Sequence, residues 1–98
     1  MSKKQATRDE SEYMGRVAAL GCYLCRHLGY GPTPAQVHHI SYGKGMSQRN
    51  SHYLTIPLCD THHANASMDG IHGQRRAWKL ASVDEIDGLA DTIRLLNR

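Results

Sequence analysis

Cys22-Tyr23-Leu24-Cys25 and Cys59-Asp60-Thr61-His62 are the stretches that decide the fold, and 33 residues separate them. Each is a pair of soft ligands with a two-residue spacer, and on a tight turn such a spacer lets both side chains point at one ion. Together Cys22, Cys25, Cys59 and His62 supply the four N/S ligands of a closed tetrahedral zinc site. That site uses all three cysteines of the chain, so the odd count requires no disulfide. The alternative is three buried, inert thiols.

The composition asks for such a staple. Of 98 residues, Leu, Ile and Val contribute 9, 5 and 3, and there is no Phe. The chain therefore falls below the ~20% of strong core formers under which chains are often disordered, although its net charge of only +3 argues against disorder. A bound structural zinc contributes roughly 10–16 kcal/mol in small domains, enough to stabilise a thin core. The length fits a single domain over residues 1–98. No run approaches the ~20 apolar residues of a membrane span. Residues 1–8 are polar and basic with no apolar stretch behind them, so they read as a flexible arm and not a secretory signal. Reduced thiols and no secretory signal lead us to expect a cytoplasmic protein.

Charge is unevenly placed. Between Tyr13 and Cys59 there is no Asp or Glu, while Arg16, Arg26, Lys44 and Arg49 lie in that window. A half with cations and no carboxylates suits a polyanion such as nucleic acid, or else is simply a soluble basic surface.

The pattern of elements is α+β. Thr7-Arg8-Asp9-Glu10 has the form of a capping box, with Ser11 as a competing cap, ahead of a helix ending near Gly21. Gln36–Ile40 reads as a strand start, Ser41–Met46 as a Gly-rich turn, and Tyr53–Ile56 as a returning strand that Pro57 ends. Leu58–Ala66 reads as a turn into a short helix capped by Asp60 or Thr61. A short basic helix carrying a core Trp78 follows over Gln74–Leu80. Ser82-Val83-Asp84-Glu85 is a second capping box, opening a packing helix over 82–97 whose apolar stripe is Val83, Ile86, Leu89, Ala90, Ile93 and Leu96.

Filling the four-ligand site leaves His38, His39, His52, His63 and His72. Adjacent helical residues stand about 100° apart, so His62 and His63 cannot easily serve one ion, and a second site becomes reasonable. The ordered set (a Cys-x2-Cys knuckle, a His-His-Ile strand, a Gly-rich turn, a returning strand, then Leu-Cys-x2-His-His opening a helix) resembles the HNH, or ββα-metal, endonucleases. Ile-Pro-Leu-Cys-x2-His-His and Gly-Ile-His-Gly make it most similar to their phage recombination-enhancement group. The similarity runs from about Gly15 to Leu80, leaving the arm and the last helix outside.

The resemblance implies a small zinc-stabilised ββα-metal, treble-clef-like core over 15–80 and a DNA endonuclease, encoded by a phage or prophage and acting in the host cytoplasm. It implies that His38 binds a catalytic divalent ion, that His39 is the general base, that His63 is a further ligand, and that His72 is another ligand or a phosphate contact. Mg2+, Mn2+, Zn2+ or Ni2+ would serve there, imidazoles favouring the transition ions. The middle Asn of the family, which orients the base, has two candidates here, Asn50 and His52. In a regular strand His38 and His39 point to opposite faces, so a shared site requires the strand to end or twist there. Lys44, Arg49, Arg75, Arg76 and Lys79 suit phosphate contacts. The group also implies dependence on a host recombinase filament. The rival is a non-catalytic zinc-finger module that binds nucleic acid or a recombinase, which would have no use for the extra histidines.

Overall fold

Thr7 opens the first helix with both halves of a capping box: Glu10 N donates to Thr7 Oγ1 at 3.1 Å, and Thr7 N donates to Glu10 Oε1 at 2.8 Å. In the computed structural model, which describes residues 5–43, 49–64 and 67–98, this helix is α1 (Arg8–Ala19). The expected arm is thus shorter than 1–8, because Arg8 is already helical; residues 1–4 lie outside the described residues. Gly21 then turns the chain with φ +80°, and a Cβ there would sit 3.3 Å from the Thr33 carbonyl oxygen. Only glycine takes that conformation at little cost, and it delivers the chain directly to Cys22.

Neither ligand pair sits on a simple turn. Cys22 caps a short helix, α2 (Tyr23–His27), and Cys59 caps another, α3 (Asp60–His63). The second helix therefore starts one residue earlier than a cap at Asp60 would place it, and two earlier than a cap at Thr61. In both, the first ligand is the cap and the second lies three residues on. Helical backbone at that spacing turns both side chains to the same side, as a turn would.

Between them run β1 (Gln36–His39) and β2 (Thr55–Leu58), an antiparallel pair with Gln36 opposite Leu58 and His39 opposite Thr55. The returning strand is displaced from Tyr53–Ile56 and runs through Pro57 instead of ending there. Ile40 N donates to Leu54 O at 3.1 Å, which makes that pair a hydrogen-bonded one. Pairs alternate along an antiparallel ladder, so Pro57 opposite Val37 occupies a non-bonded position and its missing N–H faces away from β1. All four residues of β2 are buried, with α1 and α5 (Glu85–Leu96) packed against it. Leu24, Ile56, Leu58 and Trp78 form the fully buried centre, Trp78 on α4 (Arg76–Ala81).

The last helix departs most from expectation. Its capping box is Asp84 with Asp87, two residues beyond the Ser82–Glu85 pair. Ser82 instead ends α4 in the left-handed region at φ +56°. The face turned inward carries Glu85, Gly88 and Thr92, while Ile86 and Ile93 are 45% and 43% exposed. Relative to the predicted stripe the helix is rotated by about 100°, one residue position. Gly88 explains the choice: a Cβ there would lie 3.1 Å from both Ile56 Cδ1 and Tyr23 Cδ2, so α5 approaches β2 and α2 along its smallest side chains. Arg26 on α2 holds that orientation with a 2.9 Å ion pair to Asp91.

Candidate metal centres

The capped starts of α2 and α3 bring Cys22, Cys25, Cys59 and His62 together, all buried. His62 Nδ1 lies 3.5 Å from Cys22 Sγ, 3.5 Å from Cys25 Sγ and 3.3 Å from Cys59 Sγ, and the Cys25 and Cys59 sulfurs are 3.7 Å apart. A tetrahedron with ordinary Zn–S and Zn–N bond lengths has S···S edges of about 3.8 Å and S···N edges of about 3.6 Å. The donor set and its spacing therefore fit a metal such as zinc. Burial pushes the Cys22 thiol up to about 12, so the metal-free thiol stays protonated, and a cation that binds there displaces the proton to solvent. Burial also lowers His62, which keeps the imidazole neutral and able to ligate. Trp78 Nε1 donates to the His62 carbonyl at 3.2 Å, fastening α4 to the cluster.

His63, the next residue, faces elsewhere, as the helical angle requires. With His38 and His72 it forms a second group whose ligand nitrogens all lie within 4.8 Å of one another. The ring centroids are 5.0, 4.8 and 4.8 Å apart. Three separate segments build it. His38 comes from β1, His63 ends α3, and His72 is held by backbone pairing in which Ile71 N donates to His62 O at 2.8 Å and His72 N to His63 O at 3.3 Å. Gly70 permits this return, since a Cβ there would stand 1.9 Å from the Ala64 oxygen. His38 is buried, His63 half-buried and His72 exposed, so this group opens toward solvent on one side. Burial lowers His63 to about 4, helped by His38 and His72, and burial with His38 lowers His72. Neutral imidazoles with free lone pairs are what a divalent cation requires.

His39 is not a member of the three-histidine group. It ends β1 half-buried, and its Nε2 lies 2.8 Å from His52 Nδ1. Burial, then Arg49, His52 and His38, lowers it to about 4. Asn50 is occupied otherwise: its Nδ2 donates to Ile40 O at 2.8 Å and Tyr42 O at 3.1 Å, tying the loop after β1. Of the two candidates beside the strand pair, the one touching His39 is His52.

The cationic candidates are scattered in their engagements. Arg49 and Lys79 are exposed. Arg75 Nε donates to Ile71 O at 2.8 Å, and Arg76 forms a two-pronged pair with Asp69 at 2.9 and 3.1 Å. Lys44 lies outside the described residues.

Two residues beside the second group escaped prediction. Glu85 hydrogen-bonds His38 Nε2 from the first turn of α5 and accepts from Ser41 N and, at 2.8 Å, from Ser41 Oγ. The signal was its register: Glu85 shares a helical face with Gly88 and Thr92, the small-residue face that can pack closely. Among the described residues, no helix is long and apolar enough to cross a membrane. A family model described as recombination enhancement, RecA-dependent nuclease matches residues 6–95, taking in α1 and nearly all of α5 where the expected similarity stopped at Gly15 and Leu80. Spanning almost the whole chain, this match shows that the protein belongs to the family of RecA-dependent nucleases of recombination enhancement.

Proposed function

We propose that the chain is a metal-dependent DNA endonuclease of the HNH type with a ββα-metal core, encoded by a phage or prophage and acting with RecA on DNA. The observation that carries this reading is the half-open His38/His63/His72 group beside the closed Cys3His cluster, in a chain of a nuclease family. The closed cluster takes zinc as a staple and, with four protein ligands, has no position left for substrate. His38, His63 and His72 would hold the second ion, Mg2+, Mn2+, Zn2+ or Ni2+, whose contribution when bound is to offset charge on the phosphodiester and its leaving oxygen.

The chain's own groups do the rest. His39 is the general base: burial keeps its ring neutral at pH 7, with a lone pair to accept a proton from water, although the same burial lowers its basicity. To accept at Nδ1 it must carry its own proton on Nε2 and donate it to His52 Nδ1, 2.8 Å away. His52 thereby fixes the tautomer of the base, the task that the resemblance gives to an asparagine. Lys44, Arg49, Arg75 and Lys79 hold the DNA backbone, with Arg76 contributing less because Asp69 already neutralises it.

The test is a cleavage assay on duplex and gapped DNA with RecA filaments and each of the four ions. Wild type should cut. His39→Ala should lose about 10²–10⁴-fold in rate while still binding DNA. Equal inertness of wild type and His39→Ala with all four ions, with DNA binding intact, would reduce the protein to a zinc-finger binding module.

A further inference from the structure

Among the described residues Glu85 is the only buried carboxylate, 8% exposed, and nothing in helix capping requires it, since Asp84 and Asp87 close the box. Burying a carboxylate is costly unless its oxygens are satisfied. Here they are: Ser41 N reaches both oxygens at 3.1 Å, Ser41 Oγ donates to Oε1, and His38 Nε2 meets Oε2. The first turn of α5 adds the positive end of a helix to the same spot. His38 is itself only 3% exposed, so its ring is held between this carboxylate and the other two imidazoles.

A carboxyl group is ordinarily the stronger acid of the two, so the proton they share resides on the imidazole. An ionised carboxylate can only accept. We infer that Glu85 is the positioning residue of the three-histidine centre: it fixes His38 as the Nε2–H tautomer, leaving Nδ1 as the lone pair for a cation, and locks the ring against rotation. This rests on the reading of that group as a metal centre. It assigns to α5 a part in the site, through a residue 47 positions beyond its partner. Carboxylate–histidine–metal arrangements of this kind raise ligand basicity and cost about 10–100-fold in metal affinity when broken.

The tautomer is read first, without any variant. Nitrogen-15 histidine spectra of zinc-stapled protein, stripped of its second ion, should show His38 protonated at Nε2 and bare at Nδ1. An Nδ1–H tautomer would overturn the assignment. Next, Co2+ titration against a chelator that leaves the cysteine cluster loaded should show E85A binding the second ion about 10–100-fold more weakly than wild type, with altered visible bands. E85Q, which keeps an oxygen acceptor but not the charge, should fall between them. Wild type and E85A binding Co2+ equally, with the same spectrum, would remove the role of Glu85 alone. Wild type taking up no second ion would remove the metal centre and this inference with it. If E85A does not fold, the wild-type tautomer and E85Q still decide.

Discussion

The two ligand clusters lie one residue apart, at His62 and His63, and are built on opposite principles. The cysteine cluster is made from two local pairs, each a helix cap and the residue three beyond it, and every member is buried. The histidine cluster draws single residues from a strand, a helix end and a loop, and opens from buried His38 to exposed His72. A closed set of four soft donors can stabilise a fold but offers no coordination position to a substrate; an open set of three imidazoles offers one and contributes little to the fold. On the proposed reading, stability is assigned to the closed set and chemistry to the open one, although both draw on the same short helix.

Separation of that kind predicts very unequal effects of substitution. Cys25→Ser, or stripping zinc with a strong chelator, should unfold the domain, since a structural zinc contributes on the order of 10 kcal/mol and the apolar core is thin. Circular dichroism should register loss of helix. His63→Ala should leave the thermal midpoint nearly unchanged and abolish cleavage. A variant of His63 that melted as early as Cys25→Ser would erase the distinction between the clusters.

Gly70→Ala is expected to fall between these. Its Cβ would overlap the Ala64 oxygen at 1.9 Å, so the loop must move and His72 must leave His63. A loss of about 3 kcal/mol in denaturant unfolding is expected, together with weaker binding of the second ion and an intact cysteine cluster. Unchanged stability would mean that the 70–72 return does not depend on glycine.

The remaining effect is with pH. His39 and His63 are held near 4 in the folded chain, against 6.5 ordinarily, by burial first and then by neighbouring positive charge. The unfolded chain therefore takes up protons that the folded chain refuses. Stability from this source is complete above pH 6.5 and is lost as pH falls toward 4. Glu85 adds a second loss between 4.5 and 2: burial works to raise it, but hydrogen bonds from His38 and Ser41 outweigh burial and hold it at about 2. Urea midpoints should stay level from pH 8 to about pH 6.5 and fall from there to pH 4. A midpoint that rose on acidification would contradict the neutral-imidazole arrangement.

Legibility in the sequence follows the same division. The cysteine cluster, the Thr7 cap and the burial of Trp78 rest on spacings of a few residues, and those were readable. That His62 and His63 diverge follows from helix geometry alone. What could not be read depends on contacts across the fold. The rotation of α5 is decided by Gly88 meeting Tyr23 and Ile56, and a hydropathy stripe cannot express close approach by a residue without a side chain. Glu85 was misplaced for the same reason, because a capping box two residues away accounts for it equally well on paper. The position of Pro57 inside β2 depends on which ladder positions bond, a matter of pairing and not of propensity.

The most direct measurement is metal content per chain before and after mild chelation. Separate clusters predict about two ions falling to about one, the survivor being zinc, with helix content preserved and cleavage restored by adding a divalent ion back. A single ion from the start, or both ions leaving together as the fold is lost, would contradict the division between a closed staple and an open centre.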